Sequence, residues 1–174
     1  DTNLEKKLES ISEKKPLKFS KDLKSVNIVL LKEALAGLFP NDKLLFGKGS
    51  LDPKIVFLSK YPTAEEFQNS TLCVGNSNEL IQKIIKAMGI TQEDVYFTSI
   101  IKSQSVSNIL IQKGSDSCEL IEKKVFIEYL KKELSLINPS IIILFGKLSY
   151  TLLMNNSHEK KEFNEIRGKL FKFS

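Results

Sequence analysis

The sequence predicts an α/β protein, a three-layer α/β/α sandwich around a central parallel sheet of about four strands. Two observations carry this. Short, continuous apolar runs at 54–58 (KIVFL), 95–101 (VYFTSII) and 140–146 (SIIILFG) suit strands covered on both faces. Between them lie segments whose apolar residues recur at helical spacing, the alternation that builds a parallel sheet with crossover helices.

Taken in order, LEKKLESISEKKPL places Leu4, Leu8 and Ile11 on one side of a charged helix ended by Pro16. Residues 26–39 read as a second, more buried helix stopped by Pro40, and 41–53 as a loop with turn residues at both ends. After the first strand, 76–88 sets Leu80, Ile81, Ile84, Ile85 and Met88 on one helical face, closed by Gly89. Thr91 to Asp94 has the form of a capping box for a single turn before the second strand. The polar stretch 103–117 reads as a long loop. Residues 118–137 form a long amphipathic helix through Leu120, Ile121, Phe126, Leu130 and Leu134, ended by Pro139. Another helix begins directly after Gly146, and 167–174 is a candidate fourth strand. The expected division is a helical extension over 1–43 and an α/β domain over 44–174.

The chain is 174 residues long, enough to bury a sizeable core, with 41% hydrophobic and 27% charged residues. Its two cysteines, Cys73 and Cys118, make neither a disulfide framework nor a metal-ligand spacing, so no cofactor and a reducing cytoplasm are expected. No apolar stretch approaches the ~20 residues that span a bilayer. The net charge of +5 favours polyanionic partners, although residues 1–25 alone hold seven lysines against five acids.

In parallel sheets the working loops lie beyond the carboxyl ends of the strands, which here start at Ser59, Lys102 and Gly146. Gly146-Lys147, between a strand and a helix amino-terminus, offers free backbone amides and a charge to an anion. A glycine there also serves simple packing. Neither G-x-x-x-x-G-K-[ST] nor G-x-G-x-x-G is present, so nucleoside triphosphates and dinucleotides are not expected ligands. His158 reads as a solvated surface residue, the adjacent Glu65 and Glu66 as complements to a helix dipole, and both cysteines as ordinary thiols.

The order of four stretches is similar to that of uracil-DNA glycosylases of the family 4 type. LLFGKGSLDPKIVFLSKYPTAEEF resembles the family's opening L-F-G-E-G-N-P…G-E-A-P-G-A-E-E-D. LCVGNSNELIQKIIKAMGI, EDVYFTSIIKS and LSLINPSIIILFGKLSYTLL resemble the segments that follow, with matching spacing. The resemblance implies a pocket for a base flipped out of the DNA stack.

At the positions that carry the family's chemistry this chain departs. Lys60 stands where the resemblance implies an acidic residue that helps water attack the sugar. Cys73 stands for the aromatic residue on which uracil stacks, and Ser99 for the asparagine that reads it. Ser59 and Thr63 replace two glycines of the first turn, and only Pro62 is kept. The resemblance also implies an iron–sulfur cluster on four cysteines. Two of these precede the first strand, where this chain has none; Ser103 occupies the third position, and the fourth falls near Phe126. An H-P-S-x-L loop is expected beyond residue 174, so the chain reads as one that stops before this element or has lost it.

The expected function is therefore a catalytically degenerate glycosylase-like domain. It would bind DNA non-specifically, or a protein of a DNA-processing assembly, through Lys60, Lys102 and Lys147, with Pro62, Gly75 and Gly146 shaping the loops. The competing readings are an active or altered-specificity glycosylase and a structural protein with a vestigial pocket.

Overall fold

A computed structural model describes residues 21–113, 120–153 and 163–171. The readings made for 4–16, Cys118 and His158 lie outside them. In chain order the elements are α1 (Lys21–Leu38), β1 (Lys48–Gly49), β2 (Ile55–Ser59), α2 (Ala64–Gln68) and α3 (Gly75–Ala87). They continue through β3 (Val95–Ser99), α4 (Gln104–Lys113), α5 (Leu120–Ile137), β4 (Ile141–Leu144), α6 (Lys147–Leu153) and α7 (Phe163–Ile166).

The strands form one sheet in the order β1-β3-β2-β4. The three strands read from the sequence are its parallel part: β2 pairs with β3 from Ile55↔Val95 to Ser59↔Ser99, and with β4 from Ile55↔Ile141 to Leu58↔Leu144. Strand alternation sends Val56, Leu58 and Tyr96 to one face, where α1, α4 and α5 cover them with Leu35, Leu110, Leu130 and neighbours. Ile55, Phe57, Val95 and Phe97 point to the other face, under α2 and α3 with Phe67, Leu72 and Ile85.

Several expectations need correction. The fourth strand is β1, taken from the loop before β2 and antiparallel to β3, not the segment 167–174. Arg167 to Phe171 form a turn and irregular chain, and 172–174 lie outside the described residues. The stretch 103–117 is not a plain loop. It holds α4, whose Val106 and Leu110, one turn apart, are both buried, and the Ser103 hydroxyl accepts the Val106 amide at 3.0 Å to start the helix. On α3, Ile85 is buried, but Leu80 and, just past the helix end, Met88 face solvent. On α1, Ile28, Leu31 and Leu35 pack into the core while Val26, Val29 and Leu30 are exposed. Strand β4, expected to be buried, is half-exposed because it lies at the sheet's edge. Helix α5 ends as Pro139 requires, with Asn138 at φ +51° closing it.

Candidate functional site

A cavity of about 300 Å³ opens beyond the carboxyl ends of β2 and β3, on the face covered by α2 and α3. That volume is at the lower end of small-molecule sites. Its floor is aromatic. The Phe57 ring stacks against Phe97 (centroids 5.4 Å, planes 11° apart), its register partner on β3, and against Phe145 (5.9 Å, 8°), which lies diagonally across, two residues beyond its register partner Ile143 on β4. Leu72 and Cys73 form part of the wall, and Tyr61 and the 60%-exposed Leu80 also line the cavity.

The turn after β2 is built by its own side chains. Thr63 caps α2: its hydroxyl accepts the Glu66 amide at 3.2 Å, and its own amide donates to Glu66 Oε2 at 2.8 Å. The second carboxylate oxygen, Oε1, accepts the Cys73 amide at 2.5 Å. Glu66 thus joins the turn to the wall and is the only carboxylate among the described lining residues. It does more than complement a helix dipole. Cys73 sits at φ +56°, a conformation a non-glycine residue adopts only at some cost, and the following Gly75 at φ +64°. A Cβ at Gly75 would lie 2.4 Å from Glu65 Oε2. Burial pushes the Cys73 thiol up from its ordinary range; the Lys48 charge pulls the other way, and Glu66 adds to the rise.

The other positions singled out in the sequence divide into three groups. Lys60 is exposed, with Nζ 4.6 Å above the centre of the Tyr61 ring, and Pro62 beside it is buried. Gly146, at φ +88°, and exposed Lys147 follow directly on Phe145 of the floor. The short α6 that they start gives no more than a one-turn amide cluster. Ser99 is fully buried and its hydroxyl donates to the Ile101 carbonyl at 2.8 Å, so it does not line the cavity.

Lys102 is misplaced by the sequence reading. Its side chain is 0% exposed, and Nζ donates to the Ser99 carbonyl at 2.6 Å, to the Thr98 hydroxyl, and to Glu133 Oε2 at 3.0 Å. Glu133, on α5, also accepts the Tyr96 phenol and the Thr98 hydroxyl, each at 2.9 Å. Three donors satisfy a carboxylate that the core would otherwise exclude. Burial pushes the Lys102 ammonium below its ordinary range, and Glu133 opposes the shift. Such a lysine cannot reach a phosphate.

Sequence reasoning missed two basic residues near the cavity. Lys43 donates to the Phe67 carbonyl at 2.5 Å, and Lys48 to the Thr71 hydroxyl at 3.0 Å, so both lean over the α2–α3 side. Their signal was weak, since a loop lysine before a strand carries no periodicity. The residues at the implied cluster positions do not fit iron: Phe126 has no ligand atom and is buried against Phe39, and the Ser103 hydroxyl is engaged by Asp42.

Comparison with known proteins adds the family. The sequence pattern of the uracil DNA glycosylase superfamily matches residues 46–172, nearly the whole of the sheet and its cavity. The chain belongs to this superfamily. Among superfamily relatives, the type-4 uracil-DNA glycosylase of Thermotoga maritima is 26% identical over 125 residues, 72% of this chain and 60% of the relative. That of Archaeoglobus fulgidus is 25% identical over 126 residues, again 60% of its length. A DNA polymerase of Bacillus phage SP01 is 30% identical over 132 residues, 75% of this chain but 13% of the polymerase. The chain thus spans about three-fifths of these type-4 glycosylases and a small part of the polymerase. No helix among the described residues is long and apolar enough to cross a membrane.

Proposed function

We propose that this superfamily domain is a DNA-binding module of DNA processing that keeps a base-sized pocket and has lost the groups for hydrolysing a uracil–sugar bond. The observation that carries the reading is how the polar groups around the pocket are spent. Lys60 stands outside over Tyr61, the Ser99 hydroxyl is turned to the Ile101 carbonyl, and both oxygens of Glu66 hold backbone amides. Lys60 and Ser99 do not line the cavity, and Glu66, the carboxylate that does, is tied to the fold by one amide on each oxygen. What remains suits binding. A flat aromatic and aliphatic cavity can take a base face, where stacking on aromatic rings contributes about 1–3 kcal/mol per base. Lys43, Lys48, Lys60 and Lys147 supply charge for phosphates.

A second reading, an active glycosylase, is favoured by the names of the type-4 relatives and by the Glu66 carboxylate in the lining. The match to a phage DNA polymerase supports work beside a replicating enzyme under either reading.

Labelled single- and double-stranded oligonucleotides, with and without uracil, distinguish these. The expected results are no base release, and weak binding by fluorescence anisotropy that ignores uracil and falls steeply with salt. Lys48→Ala and Lys60→Ala should each lower the salt slope by about one unit. Uracil release by the unaltered protein, abolished in Glu66→Gln, would move the conclusion to the second reading. No binding at low salt would refute DNA recognition altogether.

A further inference from the structure

The strip that links α1 to β1 is fastened at several points to parts of the chain far away in sequence. Asp42 Oδ2 accepts the Ser103 hydroxyl and, at 2.7 Å, the Ser105 hydroxyl, while Oδ1 accepts the Ser105 amide at 3.2 Å. Backbone bonds continue the seam, Gln104 amide to the Lys43 carbonyl (2.9 Å) and Leu45 amide to the Lys102 carbonyl (2.8 Å). One turn before Asp42, the Phe39 ring stacks on Phe126 of α5 with centroids 5.0 Å apart and planes 17° apart. Ser103 and Phe126 thus meet the same four-residue stretch, 39–42.

We infer that Asp42 with Ser103 and Ser105, and Phe39 with Phe126, form a metal-free clasp that takes over the cross-linking task of an iron–sulfur cluster. The chemistry of the positions supports this. Clusters are held by cysteine thiolates, and this place offers a carboxylate, hydroxyls and two phenyl rings. The Ser103 oxygen already donates to Asp42 and accepts from the Val106 amide. Hydroxyl-to-carboxylate bonds are charge-assisted and among the stronger neutral-to-ion contacts, and ring stacking adds to burial. The clasp also has a reach beyond its own atoms. The same strip continues to Lys43 and Lys48, which lean on the α2–α3 wall of the cavity at Phe67 and Thr71. Fixing one end of the strip therefore fixes basic side chains beside the pocket.

The test uses the whole chain purified with and without oxygen. Iron and acid-labile sulfide should be absent, and a chelator should leave Tm unchanged. Asp42→Ala should lower Tm by about 3–12 °C, the loss expected for hydrogen bonds to a charged group in a protein of this size. Amide exchange at 42–45 and 103–106 should quicken about tenfold or more, with distant strands less affected. If Asp42→Ala does not fold, Asp42→Asn, which keeps the shape and one acceptor, is read in the same way with a smaller shift. Stoichiometric iron, or a Tm lowered by the chelator, would overturn the inference. So would Asp42 variants that leave both Tm and exchange unaltered.

Discussion

Removing the Glu133 carboxylate alone should damage the protein more than removing the whole buried pair. In Glu133→Ala the Lys102 ammonium stays in a fully buried site, and the Tyr96 and Thr98 hydroxyls lose their acceptor. Leaving one member of a buried ion pair unmatched costs about 3–5 kcal/mol, a large part of the ~5–15 kcal/mol that holds a domain folded. At about 2–4 °C per kcal/mol for a chain of this length, Tm should fall by roughly 6–20 °C. The deficit should also depend on pH in a set direction. Burial already holds Lys102 below its ordinary range, and loss of the carboxylate removes the influence that opposes this. Between that lowered value and the ordinary 10.5, the unfolded chain binds the proton and the folded chain does not, so stability rises with pH. Thermal melts or urea titrations from pH 7 to 9.5 should therefore show Glu133→Ala recovering part of its loss relative to wild type. The double variant Lys102→Met/Glu133→Leu should recover the part of the loss that the unmatched ammonium causes, and keep the part that the Tyr96 and Thr98 hydroxyls cause by losing their acceptor. A small, pH-independent loss in Glu133→Ala, or a double variant as unstable as the single, would refute this account of the pair.

Gly47→Ala should destabilise by about 1–3 kcal/mol, since a Cβ there would sit 2.4 Å from the Tyr96 phenol oxygen, and the ring has no room to retreat; urea unfolding measures it. Asp94 is held down to about 2 by the Lys54 ammonium and by the Thr91 amide and hydroxyl. The stability this supplies is present above pH 3.8 and lost as pH falls towards 2, so Asp94→Asn should flatten the acid limb of a stability–pH curve over that window. Because burial raises the Cys73 thiol, alkylation by iodoacetamide at pH 7 should run slower than for a free cysteine and accelerate with pH; a rate equal to the free amino acid at pH 7 would contradict the site's burial.

The sheet was legible because β2, β3 and β4 are short apolar runs with no competing reading, and the pocket's position followed from their carboxyl ends. The details that failed share a cause: partners remote in sequence. Lys102 sits at a strand end, where a lysine is normally solvated, and its partner Glu133 lies 31 positions away on a helix whose charges look like an exposed face. Helix α4 was hidden by its serines. Ser103, Ser105 and Ser107 suggest a loop, yet the Ser103 hydroxyl starts the helix and the Ser107 hydroxyl returns to the Ser103 carbonyl at 2.6 Å. Strand β1 is two residues long and contains a glycine at φ +125°, too short for any alternation to register. At the pocket, the link from the Cys73 amide to Glu66 depends on a turn closing over seven residues, which no local pattern announces.

The two borders of the sheet are finished in different ways. On one side β1 stops after Lys48 and Gly49, both exposed, so that border is brief, charged and unsuited to accepting another strand. On the other side β4 presents Ile141 to Leu144, four consecutive branched aliphatic residues, with Ile141 48% exposed and no further strand beside them among the described residues. A row of this kind is a template for backbone pairing with another chain. Concentrated solutions of the domain should therefore associate through β4 first, and a lysine at Ile141 would be the smallest change to keep the molecules apart.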